Sequence, residues 1–177
     1  MKKKIYEGDS KIKGMRTLTI YYSKTGNTKL IAETIAKETK SELLAIKPKK
    51  EIKSTGFLLY FRGGFQSITK RKIEIEEPKI DINNFDLIFL GTPVWAWNLN
   101  PVVRSFLETI PIKNKKICLF CCCASSGKGV LKDLEQILEG NEILGKREFI
   151  EPLKNDTEKA ISDAKKWAKE MKRKARK

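Results

Sequence analysis

Six consecutive residues, Ser23-Lys24-Thr25-Gly26-Asn27-Thr28, gather three hydroxyls, a carboxamide and a glycine. An apolar run precedes them and helical periodicity follows, so they form a strand-to-helix loop. The free N–H groups and the positive dipole end of a helix start attract anions. The Ser23, Thr25 and Thr28 hydroxyls can each donate to a phosphate oxygen, and Gly26 lets the backbone come close. A helix cap needs one such side chain. Four polar donors around a glycine exceed that need, and the stretch predicts a phosphate site. Neither G-x-x-x-x-G-K-[ST] nor G-x-G-x-x-G occurs, and Gly127-Lys128-Gly129 lacks the first pattern's spacing and hydroxyl. ATP and a tightly held NAD are therefore disfavoured.

Two further loops lie past apolar strands, at the end of a parallel sheet where ligands bind. Thr92-Pro93-Val94-Trp95-Ala96-Trp97-Asn98-Leu99-Asn100-Pro101 carries two indoles on a polar connection. One tryptophan there would most simply anchor the loop to the core. Two suggest a wall for a flat aromatic ligand, since ring stacking adds about 0.5–1.5 kcal/mol beyond burial. In Ala124-Ser125-Ser126-Gly127-Lys128-Gly129, small residues would let backbone amides meet a ring edge, with Lys128 as a cation. By itself this loop also reads as a plain flexible connection.

Other chemistry is narrowed by what is missing. The chain has 177 residues, 37 basic and 22 acidic, a net charge of +15 and no histidine. Ser-His-Asp triads, Cys-His dyads and His-ligated metals are excluded. The four cysteines crowd into Cys118–Cys123 and cannot form a disulfide framework, so a reduced, cytoplasmic setting is expected. In an extended strand Cys118 and Cys121 would stand about 10 Å apart, beyond disulfide reach. With no second such pair, zinc is not expected, and both read as small buried apolar residues. Cys122 or Cys123, near the ligand loops, is the thiol more open to reaction. No segment is long and apolar enough for a membrane span. Lys2–Lys4 precede no apolar stretch, so no secretory signal is expected. Residues 1–14 form a basic extension; Met15 is an alternative start. The basic residues are scattered rather than clustered with aromatics, which makes nucleic-acid binding an unfavoured reading. Lys172–Lys177 reads as a frayed helix end suited to the dipole.

The positioning elements follow from hydrophobic periodicity. Thr17–Tyr22 reads as a strand, the residues after Asn27 as a helix to about Thr39, and Glu42–Ile46 as a second strand. Lys49–Lys72 is ambiguous: an apolar stripe from Phe57 to Ile68 fits a helix that Gly63-Gly64 interrupts. Asp86–Gly91 and Lys116–Cys123 are nearly wholly apolar strands, followed by helices near Val102–Thr109 and Val130–Leu138. A weaker strand near Ile143–Ile150 and a helix from Thr157 complete the chain. Apolar strands alternating with amphipathic helices predict one α/β domain over residues 15–177, a doubly wound sandwich around a five-stranded parallel sheet.

The three loops together resemble flavodoxins. Ser23-Lys24-Thr25-Gly26-Asn27-Thr28 is similar to that family's S/T-x-T-G-N-T loop, which holds the FMN phosphate. Gly91-Thr92-Pro93-Val94-Trp95 is similar to the loop whose aromatic residue stacks on the isoalloxazine, a role Trp97 could share beside Ala96. Ala124, Ser125 and Gly127 fall where the family places its second flavin-edge loop, a match of position only. The resemblance runs from about Arg16 to the end. It implies strand order 2-1-3-4-5, non-covalent FMN and electron transport between redox partner proteins, with no catalytic side chain and no metal. The charge departs from the pattern: flavodoxins that dock to basic partners are acidic, so acidic partners are expected here. The alternative is an FMN-dependent NAD(P)H:quinone or flavin oxidoreductase, with NAD(P)H and quinone visiting the flavin in turn.

Overall fold

A computed structural model describes residues 14–50 and 72–177. The basic extension and most of the ambiguous Lys49–Lys72 segment lie outside the described residues. Elsewhere the elements are β1 (Thr17–Tyr21), α1 (Asn27–Thr39), β2 (Glu42–Ala45), a 3-10 turn (Ile82–Asn84) and β3 (Leu87–Trp95). Then come β4 (Asn98–Leu99), α2 (Pro101–Thr109), β5 (Lys116–Cys123), α3 (Lys128–Ile137), β6 (Glu142–Ile150) and α4 (Thr157–Lys174).

Five strands pair in parallel in the order β2-β1-β3-β5-β6, which is 2-1-3-4-5 when those five alone are counted along the chain. The sixth strand corrects the expected count. β3 does not stop at Gly91 but continues to Trp95, and the short β4 folds back antiparallel against it, pairing Val94 with Leu99 and Trp95 with Asn98. Thr92, Val94 and Trp95 extend the strand past Gly91, and continuous burial ends at Thr92.

Alternate residues of each buried strand supply two cores. Ile117, Leu119 and Cys121 of β5 face α2 and α3, joining Val103, Phe106, Val130 and Leu134. Cys118, Phe120 and Cys122 face α1 and α4, joining Ile31, Ile35, Ala164, Trp167 and Met171. Trp167 meets Phe89 edge-on, with ring centroids 5.7 Å apart. The C-terminal basic run is not frayed, as its composition suggests. Lys172 Nζ donates to the Thr39 carbonyl and Lys174 Nζ to that of Leu144, while Lys116 Nζ reaches the Ala175 carbonyl at 2.7 Å. Long lysine stems deliver their ammonium groups to carbonyls at the C-terminal ends of α1 and α4 and, at Leu144, at the register shift within β6.

Close packing across the sheet is tightest where Gly91 of β3 pairs with Phe120 of β5. A Cβ on Gly91 would lie 2.2 Å from Phe120 Cζ. Gly91→Ala is expected to cost about 1–3 kcal/mol by overpacking. Urea unfolding of Gly91→Ala, with partial recovery in the Gly91→Ala/Phe120→Leu double variant, measures it.

Candidate functional site

The strand-to-helix loops converge because parallel strands bring all their carboxyl ends to one edge. Contacts between the loops are direct. Tyr22, preceding the first loop, meets Trp95 of the second edge-on at 6.2 Å, and its N–H donates to the Gly91 carbonyl at 3.3 Å. Gly127 of the third loop is so close to the second that a Cβ there would stand 3.1 Å from Val94 Cγ2. The site thus lies between β1, β3 and β5, across the point where strand order reverses.

The first loop leaves the start of α1 open. Gly26 adopts φ 93°, a left-handed conformation that favours glycine, and starts α1 with no side-chain cap and no acidic residue in the first turn. By contrast Asn100 and Asp156 cap α2 and α4 with side-chain oxygens at 2.9 and 2.8 Å. Ser23 Oγ accepts from the Gly26 N–H at 3.2 Å, and Asn27 Nδ2 donates to Thr25 Oγ1 at 3.2 Å, which holds the loop in shape. Lys24 and Thr25 are exposed, whereas Thr28 is buried. Thr28 Oγ1 has no hydrogen-bond partner among the described residues; it faces the Cys122 thiol without completing a bond of normal geometry. Asn100 Nδ2, at the end of the second loop, is likewise buried and unpaired, as is Thr17 Oγ1 at the start of β1. A buried hydroxyl left without a partner is costly, and a bound oxyanion would satisfy it. A cavity of about 420 Å³ opens beside this loop, lined by Tyr22, Ser23, Lys24, Gly26, Lys29 and Lys47 among others. Larger hollows lie elsewhere; one, at Met15, Asp86 and Lys116, sits at the amino ends of the strands, away from these loops.

The two indoles separate. Trp95 is 6% exposed and belongs to the core, an anchor for its loop, whereas Trp97 is 76% exposed. Ala96 and Trp97 form the two-residue tip of the β3–β4 hairpin with φ of 45° and 61°. Turns of that kind need positive φ at both central residues and ordinarily carry asparagine or glycine there. Non-glycine residues in this region cost roughly 1–2 kcal/mol each. Strain of this sort is characteristic of functional loops.

In the third loop Ala124, Ser125 and Ser126 are exposed and Gly127 is buried. Glu148 of β6 ties this loop down, accepting from Ser126 Oγ at 3.2 Å and from the Gly127 N–H. Sequence reasoning missed Glu148, which lies on the weakly patterned last strand and meets the loop only through strand register. It also missed the β6–α4 connection: Leu153 N–H donates to Asn27 Oδ1 at 3.0 Å, and Leu153 Cδ1 would lie 3.1 Å from a Cβ on Gly26.

All four cysteines are buried and free. Burial pushes the Cys118 and Cys122 thiols up to about 12, opposed at Cys118 by Lys174 and at Cys122 by the Thr28 hydroxyl. Cys121 and Cys123 titrate as a pair. The hydrogen bond between them lowers Cys123, against burial and Glu148, and raises Cys121, which burial raises further.

Fold and loops together define a doubly wound α/β protein with an uncapped helix start at its topological switch point. The chain belongs to the flavodoxin family, whose model, described as Flavodoxin, matches residues 16–143. A Clostridioides difficile protein described as the flavodoxin-like domain-containing protein BilS is 34% identical over 137 residues, 74% of this chain. The chain spans 63% of that relative's length. A Lactobacillus acidophilus flavoprotein solved in complex with FMN is 26% identical with a TM-score of 0.62, covering 76% of this chain and 93% of that one. A crystal structure described as a flavoprotein of Bacteroides uniformis shares the fold at 21% identity, with a TM-score of 0.74 over 89% of this chain and 99% of that one. No helix among the described residues is long and apolar enough to cross a membrane.

The raised thiols make stability depend on alkaline pH. A thiol whose folded pKa exceeds its unfolded value of 9.0 stabilises the fold fully below pH 9, and that contribution is lost as pH rises toward 12. The urea midpoint is expected to fall across that interval, and to fall less in Cys118→Ala.

Proposed function

We propose that this protein binds FMN non-covalently and carries electrons between redox partner proteins. The observation that supports this reading most directly is the buried, unpartnered Thr28 hydroxyl beside an uncapped helix start. Ser23, Thr25 and Thr28 hydroxyls, the Asn27 carboxamide and the amides following Gly26 would hold the phosphate. The exposed Trp97 indole would cover one face of the ring, and the backbone of Ala124, Ser125 and Gly127 would border its edge, with Thr92, Pro93, Val94 and Ala96 shaping the wall. Trp95 would support that wall from the core.

Bound FMN supplies one- and two-electron chemistry. The protein's own residues bind the phosphate, orient the ring and exclude water from it. No side chain has to act as acid or base, in keeping with a chain that has no histidine. The net charge of +15, with Lys24, Lys29 and Lys47 around the cavity, would steer acidic partner proteins toward the site.

Calorimetric titration with FMN should give one site per chain, with riboflavin, which lacks the phosphate, binding more weakly. Thr28→Val should weaken FMN binding by about 1.5–3 kcal/mol, the usual worth of a hydrogen bond to a charged group. Absence of heat with FMN from correctly folded, ligand-free protein would defeat the proposal. The holoprotein alone should be inert toward NADPH and quinone and turn over only when a reductase is added; unaided steady NADPH oxidation would instead favour an NAD(P)H:quinone oxidoreductase.

A further inference from the structure

Under the third loop lies a side-chain cluster that flavin binding does not use. Cys118 and Cys121 face opposite sides of the sheet, one in each core. Cys121 and Cys123 behave differently: two residues apart on β5, they share a face. Glu148 holds the β6 position in register with Cys121, so its side chain leaves the sheet on the same side. The two sulfurs and a carboxylate oxygen lie within 4.8 Å of one another. Cys121 is fully buried, Cys123 nearly so, and Glu148 is half-buried.

Three features suit this trio to a metal ion rather than to packing alone. Its donors come from backbone-paired strands, so their spacing is set by the sheet. Among the described residues, the hydrogen bonds to Glu148 both end on Oε1, from Ser126 Oγ and the Gly127 N–H. The loop also closes directly over the sulfur: a Cβ on Gly127 would stand 2.3 Å from Cys121 Sγ and 3.5 Å from Glu148 Oε1. Two thiolates and one carboxylate match the ligand types of a four-coordinate zinc ion whose fourth ligand is a water. Bond lengths of about 2.3 Å to sulfur put neighbouring donors of such an ion roughly 3.8 Å apart, within reach of small rotamer changes here. A single carboxylate is too few oxygens for calcium, and thiolates favour soft cations.

We propose that Cys121, Cys123 and Glu148 form a binding site for one thiophilic divalent cation, with zinc as the natural occupant. The site stands independently of flavin binding. Because the same carboxylate holds Ser126 and Gly127, an ion there would brace the third loop.

The test is a titration of the reduced full-length protein with Cd2+, followed by absorption in the thiolate-to-metal charge-transfer region, with Zn2+ as competitor. A rise that saturates at one equivalent and is reversed by Zn2+ supports the site. Cys123→Ser should abolish it, Cys118→Ala should preserve it, and Glu148→Gln should weaken it by at least about tenfold. Glu148 is half-buried, so that variant remains informative if replacing a buried cysteine prevents folding, which circular dichroism will reveal. No saturable rise, or one that survives unchanged in Cys123→Ser or Glu148→Gln, overturns the proposal. FMN titrations of the same variants read the cofactor site separately.

Discussion

Burial of both faces of one parallel sheet is the constraint from which the rest of this molecule follows. Parallel strands need a helical crossover each, and the helices must cover the sheet from both sides. The crossovers leave every strand-to-helix loop at the same edge. Residues as distant in sequence as Tyr22 and Trp95, or Val94 and Gly127, therefore meet without any long-range motif to announce it. Gly91 and Phe120 show how little slack this leaves: one side chain is omitted on β3 so that the edge of a ring on β5 can occupy its space.

Within that frame the site is built largely from omissions and strain. α1 and α3, the helices that begin at the first and third loops, start on Gly26 and Gly127 without side-chain caps, while α2 and α4 are capped conventionally. Thr28 keeps a hydroxyl in an apolar setting with no partner of its own. The β3–β4 hairpin holds Ala96 and Trp97 in left-handed conformations and thereby presents an indole to solvent. Each of these would be a defect in a protein that only had to fold, and the sound packing of the two cores offsets them.

Charge plays different parts in different places. The excess of lysine is not merely a solvated coat, since Lys116 and Lys174 fasten the C-terminal helix to β5 and β6 and Lys172 fastens it to the end of α1. Glu148 works against the prevailing sign. It lies at the sheet edge among sulfurs and loop amides, and it couples the last strand to the loop between β5 and α3.

Hydrophobic periodicity alone determined the architecture, because a continuous apolar strand such as Lys116–Cys123 can be satisfied only between two layers. The expectation of an anion loop at Ser23–Thr28 was likewise local, since hydroxyls around a glycine at a helix start carry their chemistry in the sequence itself. What local pattern could not decide was anything set by register or by the path of the chain beyond the sheet. Trp95 and Trp97 are alike in sequence, yet the hairpin turns one into the core and the other outward. Cys121, Cys123 and Glu148 are brought together only by the pairing of β5 with β6, and Leu153 reaches Asn27 only because the β6–α4 connection crosses the first loop. Periodicity reports which face of an element is buried; which residues meet across elements is settled by strand pairing and loop course, and those exist only in the folded chain.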